Sequence, residues 1–368
     1  MEIYLNKIED VLKNFPERQD FAFNRACNIF VCSLGFEERT HHLISKLAET
    51  QDLTDCTVVI IRYPTNEEEN EKNFSVYEGL KEKFKKIESI QYSKKDFSRN
   101  FNSLIKQLVG EGETSEVIFD ISTCASYVFY PVMKSQFDQN LNLTIGYVEA
   151  IDYYPKLEEF KETSKKAELE GSFFPQAFEN ASFQSHGVDD VYSSSLFAEL
   201  NPGNTPTLMV AVPNFSPVRM NSIIFKDQEI NGTKIEDVCY LLGQPPDSKN
   251  HWRTDAIKIA NNLNDSQIFK SISTRSYSDI VSALEEIWVE HQFKYHLSIG
   301  NLGSKMQHLG AFLFLMLHPD VSLWLAEPSK FKAMRFSEGV GDSWQVEFGD
   351  VQNFAKEMRS YLTYRWDF

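Results

Sequence analysis

The chain has 368 residues, enough for two domains or one large one. Hydrophobic residues make up 42% and charged residues 24%, with 29 Phe, so the chain has ample core material and is neither disordered nor fibrous. Lys and Arg total 37 against 53 Asp and Glu, a net charge of −16; that argues against gripping long nucleic acid along its backbone but leaves room for a small anion in a local pocket.

From the amino end, Met1 to Phe15 carries neither a basic start nor a continuous apolar run, which predicts no signal peptide and a cytoplasmic location. The first buried strand is Ile29-Phe30-Val31-Cys32, leading into Ser33-Leu34-Gly35. Glu37-Glu38-Arg39-Thr40 then runs into a helix through His41 and His42. Thr57 to Ile61 forms a second strand, and the following Glu67-Glu68-Glu69 reads as a solvated loop. Phe97-Ser98 opens an amphipathic helix through Phe101, Leu104, Ile105 and Leu108. Val117 to Thr123 is a strand and turn, a helix follows near Tyr127 to Phe137, and Leu143 to Val148 is a further strand.

The stretch from Tyr153 to Pro206 breaks this rhythm with a charged piece, a Gly/Phe/Pro piece and a Ser/Asn/Pro/Gly-rich piece, and reads as a partly ordered connector. Beyond it the landmarks return in order, each about 180 residues later. Leu208 to Val212 leads into Pro213-Asn214, and Val238 to Leu242 into Gly243-Gln244-Pro245. Tyr277-Ser278 opens a helix through Val281, Leu284, Ile287 and Trp288. Leu297 to Gly303 is a strand and turn, followed by a helix near Lys305 to Leu317 and a strand from Val321 to Leu325. The longest apolar run, Leu309 to Leu317, holds Gly310 and stops at His318-Pro319, too short for a bilayer. Trp344 to Phe348 and Val351 to Tyr364 read as a final strand and closing helix.

This repetition predicts an α/β protein of two tandem Rossmann-like units, each a doubly wound, mainly parallel sheet, packed as an intramolecular pseudo-dimer. The expected boundaries are 1–152 for the first unit, 153–206 for the connector and 207–368 for the second unit, including the final strand and helix.

In an open parallel sheet, ligands bind beyond the carboxyl ends of the strands where strand order reverses. That directs attention to the turns after the first and fourth strands. Ser33 and Gly35 would let backbone approach a ligand at a helix start, and Arg39 could pair with a phosphate. The second unit has the stronger pattern: Gly300, Asn301, Gly303, Ser304 and Lys305 combine two glycines, a hydroxyl and a cation at a helix start. Neither turn is a P-loop, and no GxGxxG follows either first strand, so no dinucleotide or other cofactor is expected. His41, His42 and His308 lack partners at metal spacing, and the five scattered cysteines form no CxxC, so no metal is expected either. Arg219, Lys249, Arg253 and Arg275 make the second half locally basic, and Trp252 offers a ring on which a base could stack.

The strand, turn and helix from Leu297 to Leu317, with Gly300-Asn301-Leu302-Gly303-Ser304-Lys305, resemble the Gly-Gly-Thr-Lys turn of the CRISPR-associated Rossmann-fold domains. Asp120-Ile121-Ser122-Thr123 is similar to a degenerate version of that turn, and Ser33-Leu34-Gly35 to the family's small-residue turn after the first strand. Such domains pair with a second copy and bind cyclic oligoadenylates, and some cleave them. The resemblance implies Ser304 and Lys305 as phosphate contacts, with Ser33, Gly35, Ser122 and Thr123 lining the pocket. It points to a nucleotide-type ligand, a cyclic oligonucleotide among the candidates, in a bacterial-type defence or signalling system. The leading expectation is a sensor acting through a separate protein partner, with no long nucleic acid and no membrane. The alternatives are a ring-nuclease-like phosphodiesterase or nucleotide hydrolase or transferase, and a non-catalytic scaffold subunit.

Overall fold

Strands formed of near-continuous apolar runs need cover on both faces, and the first half supplies it with helices between successive strands. In the computed structural model, which describes residues 2–110, 114–181, 184–198, 205–234 and 237–363, the chain divides into two compact units. The first consists of Pro16–Tyr153 with Phe336–Phe368, and the second of Met1–Phe15 with Tyr154–Arg335.

In the first unit, β1 (Arg18–Asp20) precedes β2 (Ile29–Leu34), whose six residues are all buried. There follow α2 (His42–Thr50), β3 (Thr57–Arg62), α3 (Glu67–Gly79), β4 (Lys86–Gln91), α4 (Phe97–Val109), β5 (Ser115–Asp120), α5 (Ser126–Phe137) and β6 (Leu141–Val148). The parallel strands lie in the order β4-β3-β2-β5-β6, the doubly wound arrangement with its switch point between β2 and β5. Glu67-Glu68-Glu69 is not a loop: the three carboxylates form the first turn of α3, where they meet the positive end of the helix. Edge strand β4 was not among the sequence landmarks, because Lys86, Glu88 and Gln91 interrupt its apolar residues, as suits an edge that must not pair further.

The second unit begins with α1 (Glu2–Lys13) and continues with α6 (Leu157–Glu170) and α7 (Phe174–Ala181). Short β8 (Ser185–His186) and β9 (Asp190–Ser193) lead to β10 (Thr207–Val212), α8 (Pro217–Asn231), β11 (Val238–Gln244) and α9 (Trp252–Ala260). Then come β12 (Ile268–Ser273), α10 (Tyr277–His291), β13 (His296–Asn301), α11 (Lys305–Leu317), β14 (Ser322–Glu327) and β15 (Lys330–Phe331), which pairs with β8. Its parallel strands run β12-β11-β10-β13-β14, the same order as in the first unit. Helices α4 and α10 begin at Phe97 and Tyr277, the two positions the sequence singles out.

The connector is therefore largely structured, with β9 pairing antiparallel to β14 as the sixth strand of the second sheet. The tail corrects the expected boundaries. After β16 (Ser337–Glu338), which pairs with β7 (Asp152–Tyr153), β17 (Ser343–Asp350) runs antiparallel to β6 and joins the first sheet rather than the second. Buried Trp344, Val346 and Phe348 fix it there, and α12 (Val351–Thr363) sets Phe354 against Phe137 and Phe348. Among the described residues, no helix is long and apolar enough to cross a membrane.

Candidate functional site

The two switch points are built alike. Asp120 ends β5 opposite Cys32 of β2, and Asn301 ends β13 opposite Val212 of β10. Each turns the chain by the same device: its side-chain Oδ1 accepts the backbone N–H two residues on, from Ser122 at 2.9 Å and from Gly303 at 2.9 Å. Asn301 is thus a turn-former, buried and bonded also to the Gln307 carbonyl through Nδ2.

In the second unit both glycines are required by space. A Cβ on Gly300 would lie 2.9 Å from Ile223, and one on Gly303 would lie 2.2 Å from Gln307 Oε1. Ser304 caps α11: its Oγ accepts from the Gln307 N–H at 3.2 Å and donates to the Thr274 carbonyl at 2.6 Å. Gln307 Oε1 returns the favour by accepting from Ser304 N at 2.8 Å, which completes a capping box. Lys305 follows as the half-buried first residue of α11.

A second cation stands at the start of α8, the helix after the first strand. Arg219 is buried in its first turn and donates from Nη2 to the Ala326 carbonyl at 2.8 Å. Ser216 occupies the N-cap position of the same helix, but its hydroxyl is buried and makes no hydrogen bond to the described residues. Both cations act on one group, the buried imidazole of His308. Burial first, and then Lys305 and Arg219, hold it well below its usual value, so it is neutral. The sequence places Arg219 only in or near a loop; the 3-2-1-4-5 strand order brings the starts of α8 and α11 to one switch point.

The first unit's turn is closed on itself. Arg39 is buried, with Nε and Nη2 on Glu37 Oε2 at 3.0 and 2.8 Å, and Nη1 on the Val148 carbonyl at 2.6 Å. The rings of Tyr147 and Tyr153 lie against its guanidinium. It therefore serves as an internal tie rather than the open phosphate partner expected from sequence. Ser122 Oγ donates to Asp120 Oδ1 and accepts from Val148 N at 2.9 Å. Thr123 Oγ1 donates to the Ser33 carbonyl at 2.8 Å, and a Cβ on Gly35 would lie 2.7 Å from the Thr123 Cβ. Ser33 itself is buried. Tyr63, not singled out by sequence, accepts from Ala125 N at 2.8 Å and so helps start α5.

Elsewhere, Trp252 packs among Phe160 and Phe215 rather than standing as a stacking platform, and Arg253 donates to the Pro155 carbonyl at 3.0 Å. Lys249 pairs with Asp247 at 3.0 Å. A cavity of about 570 Å³ opens at the amino ends of β10, β11 and β12, the opposite end of the second sheet from its switch point. Its Cys239 thiol is pushed up to about 12 by burial. Among the described residues, no group of three or more His, Cys, Asp and Glu is placed to hold a metal ion.

No family model matches the sequence, and no curated protein matches it. Similar solved structures include a Type III CRISPR defence DNA nuclease activated by cyclic oligoadenylate, at 11% identity and a TM-score of 0.44, covering 85% of this chain and 67% of that one. The cytoplasmic domain of a prokaryotic cation chloride cotransporter is similar at 8% identity and a TM-score of 0.24, covering 83% and 96%. A functionally unknown protein from Pseudomonas aeruginosa PAO1 is similar at 6% identity and a TM-score of 0.24, covering 92% and 98%.

Proposed function

We propose that this protein senses a phosphate-bearing ligand of the nucleotide class at the second unit's switch point and acts through a separate protein partner. The observation that carries this reading is that two helices, α8 and α11, start at one switch point with Arg219 and Lys305 in their first turns. Two helix starts and two cations favour an anion, and the Ser216 hydroxyl offers it a further hydrogen bond. The resemblance of the Gly300–Lys305 turn to the CRISPR-associated Rossmann-fold domains favours a cyclic oligonucleotide and a role in defence-type signalling, in the cytoplasm. Of the hydroxyls at the switch points, those of Ser304, Ser122 and Thr123 are committed to caps and turns, which favours a sensor over a phosphodiesterase.

The test is to incubate the purified protein with cyclic oligoadenylates, linear oligonucleotides and mononucleotides, measuring binding and analysing products. Binding without turnover is the expected result. Lys305→Ala should weaken it roughly 10- to 100-fold, the worth of one charge-assisted hydrogen bond. Turnover would assign a phosphodiesterase, and the absence of any binding would assign a scaffold.

A further inference from the structure

Asp120 and Asn301 occupy one topological position, and their Oδ1 atoms do the same work. The other halves of the two side chains differ. In Asn301 it is a donor, Nδ2, which gives a hydrogen bond to the Gln307 carbonyl in the first turn of the following helix. In Asp120 it is Oδ2, which is buried and makes no hydrogen bond to the described residues. An ionised carboxylate would set an unsolvated, charge-bearing oxygen where the sister repeat needs an N–H. The residue is only 2% exposed, so bulk solvent does not reach it.

We propose that Asp120 is a proton-binding site: it is held as the neutral acid with its hydrogen on Oδ2, in the role the Asn301 amide plays in the second unit, and release of that proton to solvent loosens the turn that starts α5. The surroundings agree. Burial raises the carboxyl to about 7, against the opposing pull of the Ser122 donors and of Arg39. Arg39 itself is paired to Glu37. From β2 the Cys32 thiol and from α3 the Tyr77 phenol face the same region; burial pushes both up, so both stay neutral as Asp120 titrates. The proposal concerns the first unit and stands apart from the phosphate reading of the second.

The experiment is a pH titration of the full-length chain carrying 13C-labelled aspartate carboxyls. One resonance should inflect near 7 and vanish in Asp120→Asn. Native Asp120 keeps its proton where the unfolded chain has lost it, so the parent's stability falls as pH rises from about 4 to about 7 and levels off above. The ratio of the unfolding constants of parent and Asp120→Asn should accordingly change about a thousandfold over that range. Ser122→Ala removes a donor to the charged form and should move the inflection higher, which tests the assignment without Asp120→Asn. All aspartates titrating below about 5, an inflection that survives Asp120→Asn or ignores Ser122→Ala, or a pH-independent ratio would overturn the proposal.

Discussion

Arg39→Met separates an internal tie from a ligand contact. The Arg39 and Glu37 side chains are 3% and 6% exposed, and the guanidinium bonds the carboxylate twice and the Val148 carbonyl once. Methionine fills similar space but strands the Glu37 carboxylate in a buried site, with Ser337 Oγ as a remaining donor. Breaking one half of such a pair costs about 3–5 kcal/mol, because the partner's charge stays desolvated. Adding Glu37→Gln to Arg39→Met removes that charge and should recover most of the loss. Urea denaturation of the four proteins in this double-mutant cycle gives the coupling energy. Nucleotide affinity, measured on the same folded samples, should hold within about threefold, or about 0.7 kcal/mol, if Arg39 makes no ligand contact. If Arg39→Met left stability intact while abolishing nucleotide binding, the internal-tie argument would be wrong and Arg39 would be a ligand residue.

Three further substitutions probe the frame of the second unit. Asp227 is fully buried, and its Oδ1 accepts from Trp324 Nε1 at 2.6 Å, Asn231 Nδ2 at 2.6 Å and Ser298 Oγ at 3.1 Å. Asp227→Ala orphans these donors and should cost about 3–5 kcal/mol in denaturation monitored by tryptophan fluorescence; a loss below about 1 kcal/mol would refute the network's importance. Gly310→Ala would bring a Cβ within 2.2 Å of the Tyr277 carbonyl oxygen, where α10 and α11 touch. Backbone cannot yield there as a side chain can, so a loss of about 3 kcal/mol or more is expected, and a neutral substitution would contradict the close packing. Gly303→Ala displaces Gln307 from its capping box and should weaken both stability, by about 1 kcal/mol, and ligand affinity; affinity unchanged in the folded variant would separate the box from the site.

The sequence carried the repeated unit because buried parallel strands are written as apolar runs and βαβ crossovers enforce their spacing. Both Phe97 and Tyr277 open helices as the pattern suggests. The destination of β17 was not legible. Trp344, Val346 and Phe348 alternate as in any half-buried strand, and alternation says nothing about whether the partner is β6 or a strand of the nearer sheet. The same holds for the site: the turns were visible, but not what their side chains touch. Arg39 reads as a free cation beside a helix start until Val148, 109 residues on, accepts from it. One signal lay within reach. Aligning the two repeats by the ends of β5 and β13 puts Asp120 against Asn301, two residues before Ser122 and Gly303, and so marks the carboxyl whose partner is an amide.

The most direct test of the central claim is equilibrium binding of a cyclic oligoadenylate to three full-length proteins: the parent, Lys305→Ala and Thr123→Val. The account predicts that the second-unit substitution loses roughly 10- to 100-fold in affinity, while the first-unit substitution, whose Thr123 Oγ1 is bonded to the Ser33 carbonyl, stays within about threefold. Equal affinity in parent and Lys305→Ala, or a loss confined to Thr123→Val, would contradict a phosphate site at the start of α11.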